Sequence, residues 1–205
     1  MNINEKVKRR YNRISGIYEI MDKMIKEEWR FNLLSNIAGN VLEVGIGTGA
    51  NLSFYPTHTK SLTGVDFSPR MLKHARDKVA KGHFSFPIEL VEADIQSLPF
   101  PDDSFDTIVS TCVFCSVPDP LSGLQELKRV CKPDGQILML EHMKSDQKWV
   151  GTVMDLLNPL TVRLWGANIN RETMNTIEHS GLLIEKDKHL MGSIFRELSV
   201  RPNKS

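Results

Sequence analysis

The chain has 205 residues, with 26 basic against 25 acidic side chains and a net charge of +1. That length suits one domain with a sizeable core, and the balanced charge predicts no bulk attraction to nucleic acid. Three cysteines do not make a disulfide framework and point to a reducing, cytoplasmic setting; no apolar run reaches membrane-spanning length, and the charged start has no signal-peptide core.

Residues 1–34 read as helix. Val7, Tyr11, Ile14, Tyr18, Met21 and Ile25 step by four and three and form one apolar stripe. Ser15-Gly16 weakens its middle. Lys6, Lys8, Arg9, Arg10 and Arg13 stand there against Glu5 alone. Such a helix can cap a ligand cleft with its charged face in water. It can also lie on an anionic membrane, giving residues 1–30 a peripheral contact at the inner surface.

From Val41 onward strands and helices alternate. Val41–Val44 reads as a strand, followed by a glycine loop and a short helix around Asn51–Phe54 that Pro56 stops. Ser61–Val65 is the second strand, and Ser68 with Pro69 makes the cap and first turn of a helix whose buried side carries Met71, Leu72, Ala75 and Val79. Ile88–Val91 and Phe105–Ser110 are strands, Leu121–Val130 a helix, 132–135 a turn and Gln136–Leu140 a fifth strand. The repetition predicts an α/β fold with a parallel sheet covered by helices on both faces. The last third departs from it. The apolar stretch from Trp149 to Trp165 is interrupted by Asn158-Pro159 and Gly166. Asn170 should cap a helix that Gly181 ends, and Leu182–Ile184 and Ile194–Val200 look like closing strands, the last antiparallel.

The chemistry is concentrated in Glu43-Val44-Gly45-Ile46-Gly47-Thr48-Gly49 and in Asp66. Glycines let the backbone turn sharply and approach a ligand, and an acid at the tip of the next strand can accept hydrogen bonds from both hydroxyls of a ribose. A dinucleotide site would read G-x-G-x-x-G with a helix end aimed at a pyrophosphate. Here the glycines alternate, and Glu43 would repel a diphosphate but can accept from an amine or water. That suits the cationic amino-acid end of S-adenosylmethionine. A nicotinamide or flavin site and a turn without a ligand are the competing readings.

Taken with Ala93-Asp94-Ile95, Leu98-Pro99-Phe100 and Arg129 to Gly135, these segments resemble the class I S-adenosylmethionine-dependent methyltransferases along essentially the whole chain. Within that class, residues Tyr11 to Tyr18 are similar to the start of the quinone-biosynthesis and phospholipid N-methyltransferase group. Asn51 to Pro56, Glu141-His142 and Gly166 to Glu172 are similar to bacterial phospholipid methyltransferases and to animal thiol-methylating, lipid-droplet proteins.

The resemblance implies a Rossmann-like seven-stranded, mostly parallel sheet with an N-terminal helical cap. Its expected segments are a cap over 1–36, a cofactor-binding core over 37–142, and a substrate-side insertion with closing strands over 143–205. It also implies S-adenosylmethionine as cofactor and S-adenosylhomocysteine as product. Gly45, Gly47, Thr48, Gly49 and Asn51 should surround the methionyl part with Glu43. Asp66, Phe67, Ser68 and Met71 should hold the ribose and adenosine, Asp94 and Ile95 the adenine edge, and Thr111, Cys112 and Val113 the floor. Tyr11 and Tyr18 should close over the site, with Tyr18 next to the chemistry, although both also suit a core.

His142, just past the fifth strand, is the candidate general base, with a purely structural role as the alternative. Cys112-Val113-Phe114-Cys115 has the spacing of redox and zinc sites, but no second pair exists and loop packing is the better reading. The scattered histidines predict no metal. The Met-, Trp- and Leu-rich ends imply a small hydrophobic or lipid-like acceptor, a phospholipid amine first, then a thiol or a quinone precursor. A cofactor-binding module without catalysis is the reading from another class. No basic face beyond the first thirteen residues and no N-P-P-[YF] motif suggest a nucleic-acid substrate.

Overall fold

The computed structural model describes Arg9 and residues 25–164 and 167–204. In chain order the elements are α1 (Glu27–Leu34), β1 (Asn40–Val44), a single 3-10 turn (Leu52–Phe54), β2 (Ser61–Asp66), α2 (Pro69–Lys81), β3 (Ile88–Glu92), β4 (Phe105–Thr111), α3 (Pro120–Val130), β5 (Cys131–His142), α4 (Lys148–Leu164), α5 (Thr173–His179), β6 (Leu183–Met191) and β7 (Phe195–Arg201). The strands form one seven-stranded sheet in the order β3-β2-β1-β4-β5-β7-β6. Only β7 runs against its neighbours. This is the expected Rossmann-like arrangement.

Alternate residues along a strand point to opposite faces, so both faces must be apolar if both are covered. On one face Leu42, Val44, Ile108, Ile137 and Met139 pack with Leu124, Leu127 and Val130 of α3 and Ile177 of α5. On the other Val41, Val109, Leu138 and Leu140 pack with Trp29, Leu33 and Leu34 of α1 and Leu72 of α2.

Local signals set the helix starts. Ser68 Oγ accepts from Met71 N at 3.2 Å with Pro69 at the first position, and Asp119 Oδ1 accepts from Leu121 N and Ser122 N before α3. Each cap is worth about 1 kcal/mol. Both caps place a chain turn at the carboxyl edge of the sheet.

Four local expectations change. The turn 132–135 lies inside β5 as an irregularity: Cys131 pairs with Phe105, and the ladder resumes at Gln136 with Thr107. Helix α4 runs unbroken through Pro159, whose missing N–H deprives only the Asp155 carbonyl, on the exposed side where water can serve it. Asn170 caps nothing. Its amide donates to Asp155 Oδ1, and α5 starts after Glu172, which has no side-chain cap. Strand β6 extends to Met191, because pairing with β7 continues past Ile184.

Candidate functional site

Four chain segments leave the sheet at its carboxyl edge and meet around a cleft. In the strand order β1 and β4 adjoin, and the chain departs from them toward opposite sides. A crevice opens at such a switch point. The walls are Gly45 and Gly47 after β1, Asp66 to Ser68 after β2, Ala93 to Gln96 after β3, Thr111 to Val113 after β4, and Met71 and 116–118. A smaller recess of about 280 Å³ adjoins it at the glycine loop and is lined by Arg30, Glu43, Thr48, Asn51 and Thr111 with Gly45 and Gly47.

Gly45 and Gly47 have φ of +62° and +57°, the left-handed region that side chains disfavour. At Gly45 the need is also steric, since a Cβ would lie 2.5 Å from Val113 Cγ2. Gly49 (φ +75°) lines neither cavity; a Cβ there would strike Leu52 and approach the Ala75 backbone, so it lets the loop close onto α2.

Asp66 takes Gly47 N–H on Oδ2 at 2.9 Å and Ser68 N–H on Oδ1 at 2.8 Å. Burial pushes its carboxyl up to about 6 despite those donors. A carboxylate oxygen can accept more than one hydrogen bond, so an oriented acceptor pair can still take a ribose diol. Asp94 accepts from Gln96 N and from the Gln96 side-chain amide, whose oxygen in turn takes Asp119 N–H. Gln96 therefore ties Asp94 to the start of α3.

Beneath the small recess lies a buried polar chain. Arg30 Nη1 donates to Asn51 Oδ1, Asn51 Nδ2 donates to Glu43 Oε1 at 2.8 Å, and Tyr55 OH donates to Glu43 Oε2 at 2.7 Å. Burial, then Glu43, raises the Tyr55 hydroxyl well above its usual range, so it stays a donor.

The β4 side has its own anchor. Glu141 is fully buried and accepts from Ser110 Oγ at 2.6 Å, Val113 N at 3.2 Å and Phe114 N at 3.3 Å. Those bonds hold the loop in which Cys112 adopts φ +53°. Cys112 and Cys115 are free thiols. Burial, followed by the Glu141 charge, raises both, Cys115 to about 11, which leaves them packed thiols rather than nucleophiles.

The residues present fit the expected cofactor. Thr48 Oγ1 is buried with no hydrogen-bond partner among the described residues, beside a recess that already presents Glu43. Gly45 leaves open a space that a Cβ would fill against Val113. A mostly apolar cleft with two carboxylates at its edge suits a nucleoside.

Of the expected site residues, Gly45, Gly47, Asp66, Phe67, Ser68, Met71, Asp94, Ile95, Thr111, Cys112 and Val113 line the cleft, and Glu43, Thr48 and Asn51 line the recess. Tyr11 and Tyr18 lie outside the described residues, as does most of residues 1–30. His142 is half-buried at the end of β5, edge-on to Phe195 with ring centres 5.1 Å apart, and lines neither cavity. Burial lowers its pKa. Arg30 and the Glu141 clamp were not legible as site elements, because both depend on contacts distant in sequence, whereas Gln96 and 116–118 lie within a few residues of expected ones.

A doubly wound sheet with a glycine loop and two acids, Asp66 and Asp94, at its switch point defines the Rossmann-like class of nucleoside-cofactor proteins. The chain belongs to the Methyltransferase domain family, which matches residues 42–139. It is 36% identical to a phosphatidylethanolamine N-methyltransferase of Cereibacter sphaeroides over 144 residues, 69% of this chain and 70% of that protein. It is 32% identical to a thiol S-methyltransferase of Homo sapiens over 186 residues, 87% of this chain and 75% of that protein. Its fold is similar to that of an S-adenosylmethionine-dependent methyltransferase from Thermotoga maritima (TM-score 0.71, 19% identity, 96% of this chain and 100% of that one). The cofactor is S-adenosylmethionine.

Proposed function

We propose that the methyl acceptor is the amine of a phospholipid headgroup, phosphatidylethanolamine, with a small thiol as the second reading. The observation that carries the first is the 36% identity to a protein of that activity. The second rests on the likeness to the thiol S-methyltransferase, which covers more of this chain at 32% identity.

S-adenosylmethionine supplies a methyl group on a good leaving group, so the protein's contribution is alignment and water exclusion. Pre-paid orientation of this kind can supply about 7–11 kcal/mol. Asp66 and Asp94 fix the nucleoside end of the cleft, and Glu43, Thr48 and Asn51 receive the ammonium and carboxylate of the methionyl end. The acceptor nitrogen forms its new bond to carbon as the carbon–sulfur bond breaks, and an ammonium must first give up a proton. In this proposal His142 takes that proton or relays it; burial keeps its imidazole neutral at neutral pH, the form able to accept. The basic residues between Lys6 and Arg13 support contact with an anionic membrane in which such a substrate resides.

A methyl-label assay with phosphatidylethanolamine micelles, simple thiols and quinone precursors side by side tests the acceptor. Label in the phospholipid is the expected result. Label in the thiol alone would replace the first reading with the second. An activity–pH profile of His142→Ala that keeps the wild-type acidic limb would remove His142 from the proton path.

A further inference from the structure

Helix α4 presents an apolar face that lines neither the cleft nor the recess. Trp149 (72% exposed), Val153, Leu156 (79% exposed), Leu157, Leu160 and Leu164 all stand in solvent. At 100° per residue these six fall within an arc of about 100°, while the buried Gly151 and Met154 lie on the opposite side. The stripe is therefore one continuous band along a helix about 25 Å long. No described helix is long and apolar enough to cross a membrane, so a band of this kind can lie on a lipid surface but not span it.

Charge chooses between the possible occupants. The acid of α4, Asp155, is engaged by Lys144 Nζ at 2.8 Å and by the Asn170 amide at 2.9 Å. Lys148 and Arg163 stand exposed at the two ends of the helix. Two antiparallel copies of α4 in a symmetric pair would set Lys148 of one against Arg163 of the other. An anionic lipid surface meets both cations and the apolar band at once, with Trp149 at interfacial depth.

The helix is also wired to the cleft. Asn158 Oδ1 accepts from Ile169 N at 2.9 Å, and Asn158 Nδ2 donates to Asn168 Oδ1 at 3.3 Å. Asn168 in turn donates from both its backbone N, at 2.8 Å, and its side chain, at 3.1 Å, to the Cys115 carbonyl. The next residues, 116–118, line the cleft.

We infer that α4 is an interfacial helix that docks the protein on an anionic phospholipid surface and holds the cleft rim at the level of the headgroups. This rests on the phospholipid reading of the acceptor for its purpose.

The test is flotation of the full chain with phosphatidylcholine vesicles and with phosphatidylcholine vesicles containing phosphatidylglycerol. The wild type should float with the anionic vesicles. Trp149→Ser/Leu156→Ser/Leu160→Ser should lose at least about tenfold in partitioning, while calorimetric binding of S-adenosylhomocysteine stays unchanged and shows that the variant is folded. Lys148→Gln/Arg163→Gln should weaken binding to anionic vesicles only, and salt should mimic it. A wild type that stays at the bottom of the gradient, or a triple variant that floats as well as the wild type, overturns the inference. A wild-type dimer by sedimentation that the triple variant converts to monomer also overturns it, in favour of a second copy. Flotation lost in the triple variant, with phosphatidylethanolamine never labelled by either protein, retains the docking helix and rejects the acceptor. Label in micellar phosphatidylethanolamine with flotation unchanged in the triple variant does the reverse.

Discussion

Gly47 N–H donates to Asp66 Oδ2 at 2.9 Å, joining residues nineteen apart in sequence. The glycine that gives the loop its left-handed turn thus also orients the Asp66 carboxylate on the cleft wall. The same carboxylate lines the cleft and is lifted to about 6 by burial.

Asp66→Asn should weaken S-adenosylhomocysteine by roughly 100-fold, since hydrogen bonds to a charged acceptor are worth about 1.5–3 kcal/mol each. In the wild type, calorimetric affinity should hold above the carboxyl's value of about 6 and fall below it, by at most about tenfold per pH unit. Affinity flat from pH 7 down to about 5 would mean that the ionised form is not what binds.

Gly45→Ala should destabilise the fold by about 1–2 kcal/mol from its φ alone and add the clash with Val113 Cγ2. Val113→Ala in the same chain should relieve the clash but not the backbone cost. Urea unfolding of the two single variants and the double one should therefore be non-additive. Additive losses would show that the glycine is required for its torsion only.

Glu141 gives a stability–pH prediction. Its carboxyl is raised from 4.5 to about 7 by burial, against the Ser110, Val113 and Phe114 donors. The folded state therefore binds a proton that the unfolded state releases at lower pH. Its contribution is fully present below about 4.5 and is lost as pH rises through about 7, on the order of 3 kcal/mol in all. Asp66 acts in the same sense but runs out near 6. Thermal unfolding of the ligand-free protein should therefore lose stability from about pH 4.5 to about 7, with the part above about 6 left to Glu141, and Glu141→Gln should flatten that upper part. An unchanged slope in Glu141→Gln would assign the effect elsewhere.

Tyr55→Phe and Arg30→Met cut the buried chain through Glu43 and Asn51 at opposite ends. Each should cost about 1–3 kcal/mol in chemical unfolding, because a buried polar partner is left short of a hydrogen bond. The double variant should cost less than the sum. Arg30→Met should also weaken S-adenosylhomocysteine more than Tyr55→Phe does, since Arg30 lines the recess beside the glycine loop and Tyr55 does not. Equal binding losses would reduce Arg30 to a structural role.

The elements that were legible in the chain are those whose causes are local. Ser68-Pro69 and Asp119-Pro120 place helix starts without outside help, and the glycine torsions are demanded by a turn of a few residues. Elements misread lie where tertiary contacts outweigh such signals. Pro159 did not stop α4, because the lost hydrogen bond faces water and Asn158 is anchored to the following loop. Asn170 had a partner in Asp155 and did not cap.

By itself the sequence determined the alternation of strands and helices, the glycine loop and the acids that flank it, because hydrophobic period, glycine torsion and capping act over a few residues. Only the tertiary structure decided the rest. It brought Arg30 to the recess at the glycine loop, set Glu141 to clamp the β4 loop, joined Gln96 to Asp119, and left His142 against Phe195 outside the cleft lining. It also turned the apolar residues of α4 outward. Periodicity along a chain shows that a face is apolar; what that face meets is fixed by where the remaining elements pack.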